Sequence, residues 1–160
     1  MPEKSPIKLH LGCGYRILEG YINVDIEHPK ADIIADFRTL NYPKQSVDEI
    51  RSHFIFEHFG RKQAKRLLKQ WRQWLKIGGL LIIEVPDFEG ICNNFYKDPY
   101  WMTRHAFGSQ EAEHAYHRDG WYEAKFRDIL PRIGYNIISI EKRIGRKGVL
   151  PNLLVKALRK

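Results

Sequence analysis

The chain has 160 residues, 43% of them hydrophobic, which is enough for one well-buried core and too few for two, so a single domain is expected over 1–160. No apolar run approaches the ~20 residues that span a bilayer, and the opening MPEKSPIK has no apolar segment after its charges; neither a membrane helix nor a secretory leader is expected, and the cytoplasm is the expected compartment. Lys and Arg outnumber Asp and Glu by 27 to 19, a net charge of +8, which leaves an anionic partner and a merely basic solvated surface both open.

Short apolar runs read as strands at 7–11, 21–25, 32–35, 47–52, 80–85, 135–142 and 152–158, separated by helical or loop segments. That alternation argues for a parallel sheet covered on both faces. The first two strands lie in KLHLGCGYRILEGYINVDI, where Gly12-Cys13-Gly14 follows directly on the first. Glycine there permits the turn and lets a ligand approach the backbone. Asp25 closes the second strand only 11 residues after Gly14, placed to accept hydrogen bonds from both hydroxyls of a ribose. The missing third glycine and the short spacing argue against a pyrophosphate, which wants a full helix N-terminus aimed at it. A nucleoside without phosphates fits better. His10, inside the first strand, reads as a hydrogen-bonded core histidine. Cys13 reads as a small residue suited to the turn, and the lack of metal-like spacing makes Cys13 and Cys92 free thiols.

Farther along, RKQAKRLLKQWRQWLK at 61–76 repeats Ala64, Leu67, Leu68, Trp71 and Leu75 at helical spacing, with seven basic residues and no acidic one on the remaining face. This face is read as solvated helix surface, and Gly78-Gly79 as the end of the helix. The aromatic-rich stretch 95–122 follows the fifth strand, on the edge where parallel-sheet proteins bind ligands, so a long irregular substrate lid is expected at 91–120. Residues 121–130 read as a second long helix, ahead of Pro131 and Gly134. The last two strands are joined by RIGRKGVLP, too short for a helical crossover, and are expected to form an antiparallel hairpin.

Taken in order, LGCG with GYINVD, ADIIADFRTLNYPKQSVDEIRSHFIFEHF, LKQWRQWLKIGGLLIIEVPDFE and NLLVKALRK resemble the class I S-adenosylmethionine-dependent methyltransferases of the type 11 subgroup. The opening is similar to that of small methyltransferase-like proteins of sugar and polysaccharide biosynthesis. The resemblance implies an α/β, Rossmann-like, doubly wound sheet of seven strands in the order 3-2-1-4-5-7-6, mostly parallel with strand 7 reversed. It implies S-adenosylmethionine as cofactor, held by Gly12, Cys13, Gly14, Asp25 and Ile26, with Asp36 and Phe37 beside the adenine.

Methyl transfer is a direct displacement at a methyl already activated by a sulfonium, so alignment can supply much of the catalysis. A base is needed only when the acceptor must lose a proton, and the candidates are His53 at the end of the fourth strand and His117 in the lid. SHFIFEHF partly resembles the E-x-x-E-H pattern of metal-assisted ubiquinone and small-RNA O-methyltransferases, with Glu57-His58 as its second half and His117 as its distant histidine. Phe54 stands at the first glutamate's position and cannot ligate, so no metal is expected. The turn between the last two strands carries Lys142, Arg143, Arg146 and Lys147, and Arg143 and Arg146 are expected to face a carboxylate or phosphate of the acceptor. The expected reaction is O-methylation of an anionic small molecule or glycan precursor. An RNA acceptor is the alternative, suggested by the net charge but opposed by a basic helix that flanks the sheet away from the catalytic edge. A non-catalytic cofactor-binding or interaction protein with the same fold is the third reading.

Overall fold

A computed structural model describes residues 5–145 and 148–160. Four short segments open the chain: β1 (Lys8–Leu11), β2 (Ile22–Asp25), β3 (Ile33–Ile34) and β4 (Val47–His53). Helix α1 (Arg61–Trp74) leads into β5 (Leu75–Pro86), followed by α2 (Phe88–Asn94), α3 (Pro99–Phe107) and α4 (Glu123–Ile133). The hairpin β6 (Tyr135–Ile144) and β7 (Pro151–Arg159) completes one sheet of order β3-β2-β1-β4-β5-β7-β6. β7 runs antiparallel to both β5 and β6, and the other pairings are parallel, as the sequence patterns require.

The central strand β1 buries Leu9 and Leu11 and also His10, because a strand covered on both faces leaves no side for a polar residue to reach water. The apolar stripe of α1, Ala64, Leu67, Leu68, Trp71 and Trp74, is buried against the sheet, each large side chain contributing roughly 1.5–3 kcal/mol. Its basic residues face outward. An aromatic chain continues from Trp71 to Phe56 (ring centroids 5.7 Å apart), from Phe56 to Trp121 (4.7 Å) and on to Phe126 (4.7 Å). That packing joins α1, the turn after β4 and α4 under one end of the sheet.

Three sequence expectations change. Gly78-Gly79 does not end α1: the helix stops at Trp74 because the N–H groups of Gln45 and Ser46 donate to the carbonyls of Gln73 and Trp74 (2.9 Å each), and the chain enters β5 at once. The glycines instead form a bulge, between the pairs Val47–Leu75 and Glu49–Leu80, with Gly78 at φ +75°. Helix α4 runs through Pro131 and ends at Gly134, whose φ of +100° is left-handed. The expected irregular lid is partly helical, with α2 and α3 filling much of 88–107. The irregular part, 108–122, is tied down by bridges Gly108–Tyr116 and Asp87–Trp121.

Candidate cofactor and acceptor sites

The turn after β1 is fastened to β2 by backbone alone, since the N–H groups of Gly12 and Cys13 both donate to the Val24 carbonyl (2.8 and 3.0 Å). Gly12 has φ +70°, and a Cβ built on it would lie 2.2 Å from Ile55 Cγ1, so both conformation and space demand glycine. Asp25 is held just below. Its Oδ2 accepts from the Gly14 N–H (2.8 Å), and its Oδ1 from those of Glu27 and His28 (3.1 and 3.0 Å). Burial pulls its pKa upward, but the three backbone donors outweigh burial and keep it below the usual carboxylate range. Of about four lone-pair sites on an ionised carboxylate, the backbone takes two on Oδ1 and one on Oδ2, which leaves Oδ2 the freer oxygen for a ligand hydroxyl.

Gly12, Asp25, Ile26, Asp36 and Phe37 line one cleft of about 480 Å³. Hydrogen bonds from the Arg38 side chain hold the Asp36 carboxyl below its usual range, and Phe37 is buried edge-on against Phe59 (5.6 Å). Cys13 and Gly14 complete the turn behind the cleft. The Cys13 thiol is pushed up to about 11 by burial and by the Asp25 charge, which makes it a filler of space and not a nucleophile. The seven residues expected at the cofactor therefore come together, five on the cleft wall and two in its supporting turn.

A second cavity of about 480 Å³ adjoins the cleft, and His58 lines both. It lies where β4 ends: Phe54 takes a left-handed conformation, φ +52°, and donates its N–H to the Glu84 carbonyl (2.8 Å). A bulky residue held there costs about 1–3 kcal/mol, strain of the kind that concentrates at ligand sites. After this reversal the turn Phe56–His58 sets Glu57 and His58 on the cavity wall. Glu57 is only 2% exposed, and neither carboxylate oxygen finds a hydrogen-bond partner among the described residues. Burial, reinforced by the Glu84 charge, pushes its pKa up to about 8.

The opposite wall comes from the lid. His117 Nδ1 lies 3.0 Å from the His105 carbonyl, and His58 Nδ1 lies 3.0 Å from that of Tyr116. A carbonyl oxygen only accepts, so both imidazoles carry their proton on Nδ1 and present a lone pair at Nε2. His117 Nε2 is 3.8 Å from Glu57 Oε1. Burial first, and then the neighbouring His58, bring the His117 pKa down to about 4. Glu57, His58 and His117 offer ligand atoms that all lie within 4.8 Å of one another, the one such grouping of metal-ligating side chains among the described residues.

Of the other expected acceptor-side residues, His53 and Arg143 line neither cavity. His53 is buried, packs edge-on against His10 (5.2 Å) and lines neither cavity. Burial, with the positive charge of Arg16 next, lowers its pKa to about 3. His10 is the core histidine expected, with Nδ1 3.3 Å from Asn23 Oδ1. Arg143 is ion-paired with Glu141 (2.7 Å) and Lys142 with Glu89 (2.9 Å), while Arg146 and Lys147 lie outside the described residues. Sequence reasoning missed Arg16, His105 and Asn152, which line the acceptor-side cavity. Arg16 sits two positions past the glycine turn and could have been read from it. His105 and Asn152, joined through His105 Nε2 and Asn152 Oδ1 (2.8 Å), carry no local signal.

Residues 9–83 match a family model described as a methyltransferase domain. The fold is shared with a Listeria monocytogenes protein described as an S-adenosylmethionine-dependent methyltransferase, at 11% identity over 98% of this chain and 92% of that one (TM-score 0.69). It is also shared with 1,6-didemethyltoxoflavin-N1-methyltransferase of Burkholderia thailandensis, solved with 1,6-didemethyltoxoflavin and S-adenosylhomocysteine bound, at 14% identity over 97% and 72% (TM-score 0.67). A Mesorhizobium loti S-adenosylmethionine-dependent methyltransferase matches at 15% identity over 99% and 94% (TM-score 0.66). No curated protein matches the chain. These structures share the fold, and the stretch similar to a methyltransferase domain runs from β1 into β5. The domain match supports methyl transfer as the reaction. Among the described residues no helix is long and apolar enough to cross a membrane.

Proposed function

We propose that the protein is a cytoplasmic enzyme that transfers the methyl group of S-adenosylmethionine to an oxygen of an anionic small molecule or glycan precursor, of the kind used in polysaccharide biosynthesis. The observation that carries this reading is the shared wall at His58: the cleft containing Asp25 and Asp36 opens beside the cavity containing Arg16 and His117. A cofactor seated in the first presents its sulfonium methyl at the border of the second. Asp25 accepts from the ribose, Asp36, Phe37 and Ile26 frame the adenine, and Gly12, Cys13 and Gly14 let the methionine portion pass close to the backbone.

Positive charge for the acceptor comes from Arg16 on the cavity wall and from Arg143 in β6, and Arg146, outside the described residues, is read from the sequence alone as a further contributor. Arg143 is near enough to help depress the pKa of His53. Of the two candidate histidines, His117 is supported as the one that acts on the acceptor's hydroxyl, because it lines the cavity and His53 does not. The test is transfer of labelled methyl from S-adenosylmethionine to a panel of anionic sugars and sugar nucleotides, with bulk RNA as a separate arm. Labelled methyl ether in the sugar arm is expected, and His117→Gln should lower turnover by ~10²- to 10⁴-fold with cofactor affinity unchanged. Label in RNA alone, or full turnover in His117→Gln, would overturn the respective part of the reading.

A further inference from the structure

Glu57, His58 and His117 face one another at the border of the two cavities, with no partner among the described residues between them beyond the proton that the buried Glu57 retains at neutral pH. Glu57 brings two carboxylate oxygens without partners among the described residues, and His58 and His117 each bring an Nε2 lone pair, because Nδ1 of each is committed to a backbone carbonyl. Facing lone pairs in a buried place are costly unless a proton or a metal cation lies among them, and a divalent ion can take the place of the Glu57 proton. The scaffold holds them there. The Arg118 N–H donates to the Glu57 carbonyl (2.9 Å), which joins the lid backbone to the turn after β4, and the His117 N–H donates to the carbonyl of Phe107 (3.1 Å), which ties the same stretch back to α3. An imidazole whose Nδ1–H is anchored on a carbonyl has its tautomer and ring orientation set for ligation through Nε2, the usual support behind a metal-bound histidine.

We infer that Glu57, His58 and His117 form a divalent-metal site, made of two imidazoles and one carboxylate, that fastens the lid to the end of β4. Ligand atoms already within 4.8 Å of one another need only small side-chain rotations to reach bonds of about 2.0–2.2 Å. The ligand set selects the metal: two nitrogens and one carboxylate suit zinc, iron(II), cobalt(II) or nickel, whereas magnesium demands an octahedral shell of oxygens. Phe54, which offers no ligand atom of its own, does not stand in the way. The residue is 36% exposed and lines the cavity, and three protein ligands with an open position are the arrangement of reactive metal sites. The open position faces the proposed acceptor cavity. There an acceptor oxygen would bind the ion, and His117 would act on it as a ligand of that ion; this part alone rests on the methyl-transfer reading.

The tag-free, metal-stripped full-length protein is titrated with cobalt(II) without cofactor or acceptor, following the visible absorption of the bound ion, and then with zinc as competitor. A single tight site is expected, displaced by zinc. Glu57→Gln, His58→Gln and His117→Gln should each weaken it by at least the 10- to 100-fold that losing even a supporting residue costs. Metal should also protect amides of 108–120 from hydrogen exchange in the wild type and not in His117→Gln, with circular dichroism showing each variant folded. Cobalt binding no tighter in wild type than in a Glu57→Gln/His117→Gln double variant would overturn the site. So would an infrared band of a protonated carboxyl, present with metal added and lost in Glu57→Gln, since a proton would then occupy the gap. Separate titration with S-adenosylhomocysteine distinguishes failure of the metal site from failure of the methyl-transfer reading.

Discussion

The two cavities that meet at His58 are built by opposite means. In the cleft proposed for the cofactor, Asp25 and Asp36 are matched locally: Asp25 by the backbone of Gly14, Glu27 and His28, and Asp36 by Arg38 two residues on. On the acceptor side the wall is gathered from residues as far apart as Arg16 and Asn152, and its central carboxylate, Glu57, is left without a partner among the described residues. A nucleoside cofactor asks for a fixed shape and pre-oriented acceptors, which a short continuous stretch can supply. An acceptor site must keep polar capacity in reserve for its ligand, and reserve of that kind comes only from groups the fold itself does not satisfy.

The sharpest way to break the cofactor side is at its tightest glycine. Gly12→Ala meets both a positive φ and a 2.2 Å approach to Ile55, whereas a Cβ added at Gly14, with φ +48°, would have no atom within 4 Å. Backbone strain of about 1–2 kcal/mol applies to both, and overpacking of about 1–3 kcal/mol only to Gly12. Chemical denaturation should therefore show Gly12→Ala losing about 2–5 kcal/mol and Gly14→Ala about 1–2 kcal/mol. Equal losses would mean that the Ile55 contact is not what fixes the turn.

A smaller effect sharpens the other side. His53 is buried neutral, its pKa lowered to about 3 chiefly by burial and then by Arg16, against an ordinary value near 6.5. Because the unfolded chain takes up this proton first, stability is full above pH ~6.5 and is lost as pH falls toward about 3. The difference in stability between wild type and His53→Gln should shift against the wild type across that window. A constant difference would show His53 to be solvated and so available to an acceptor after all.

Legibility in the sequence followed the same division. β1, the glycine turn, Asp25 and the antiparallel hairpin were readable because each is a contiguous pattern whose cause lies within a few residues. The end of α1 was misplaced since its cap is supplied from 45–46, and α3 was hidden because its aromatic residues follow no clean apolar stripe, with Tyr100 exposed and Met102 buried. His53 is a candidate by its position at the end of β4, and its burial against His10 is a packing contact that no local pattern specifies. Glu57, His58 and His117 could be named from sequence, but their convergence depends on the carbonyls of His105 and Tyr116, which no local pattern specifies.

The contrast between the two sides is tested most directly by calorimetric titration of S-adenosylhomocysteine into wild type, Asp25→Ala and Glu57→Gln. Hydrogen bonds to a charged acceptor are worth about 1.5–3 kcal/mol, so Asp25→Ala should bind about 10- to 150-fold more weakly, while Glu57→Gln, on the acceptor side, should bind as wild type does. Undiminished affinity in Asp25→Ala, or a loss of similar size in Glu57→Gln, would contradict the assignment of the cofactor to the cleft of Gly12, Asp25 and Asp36.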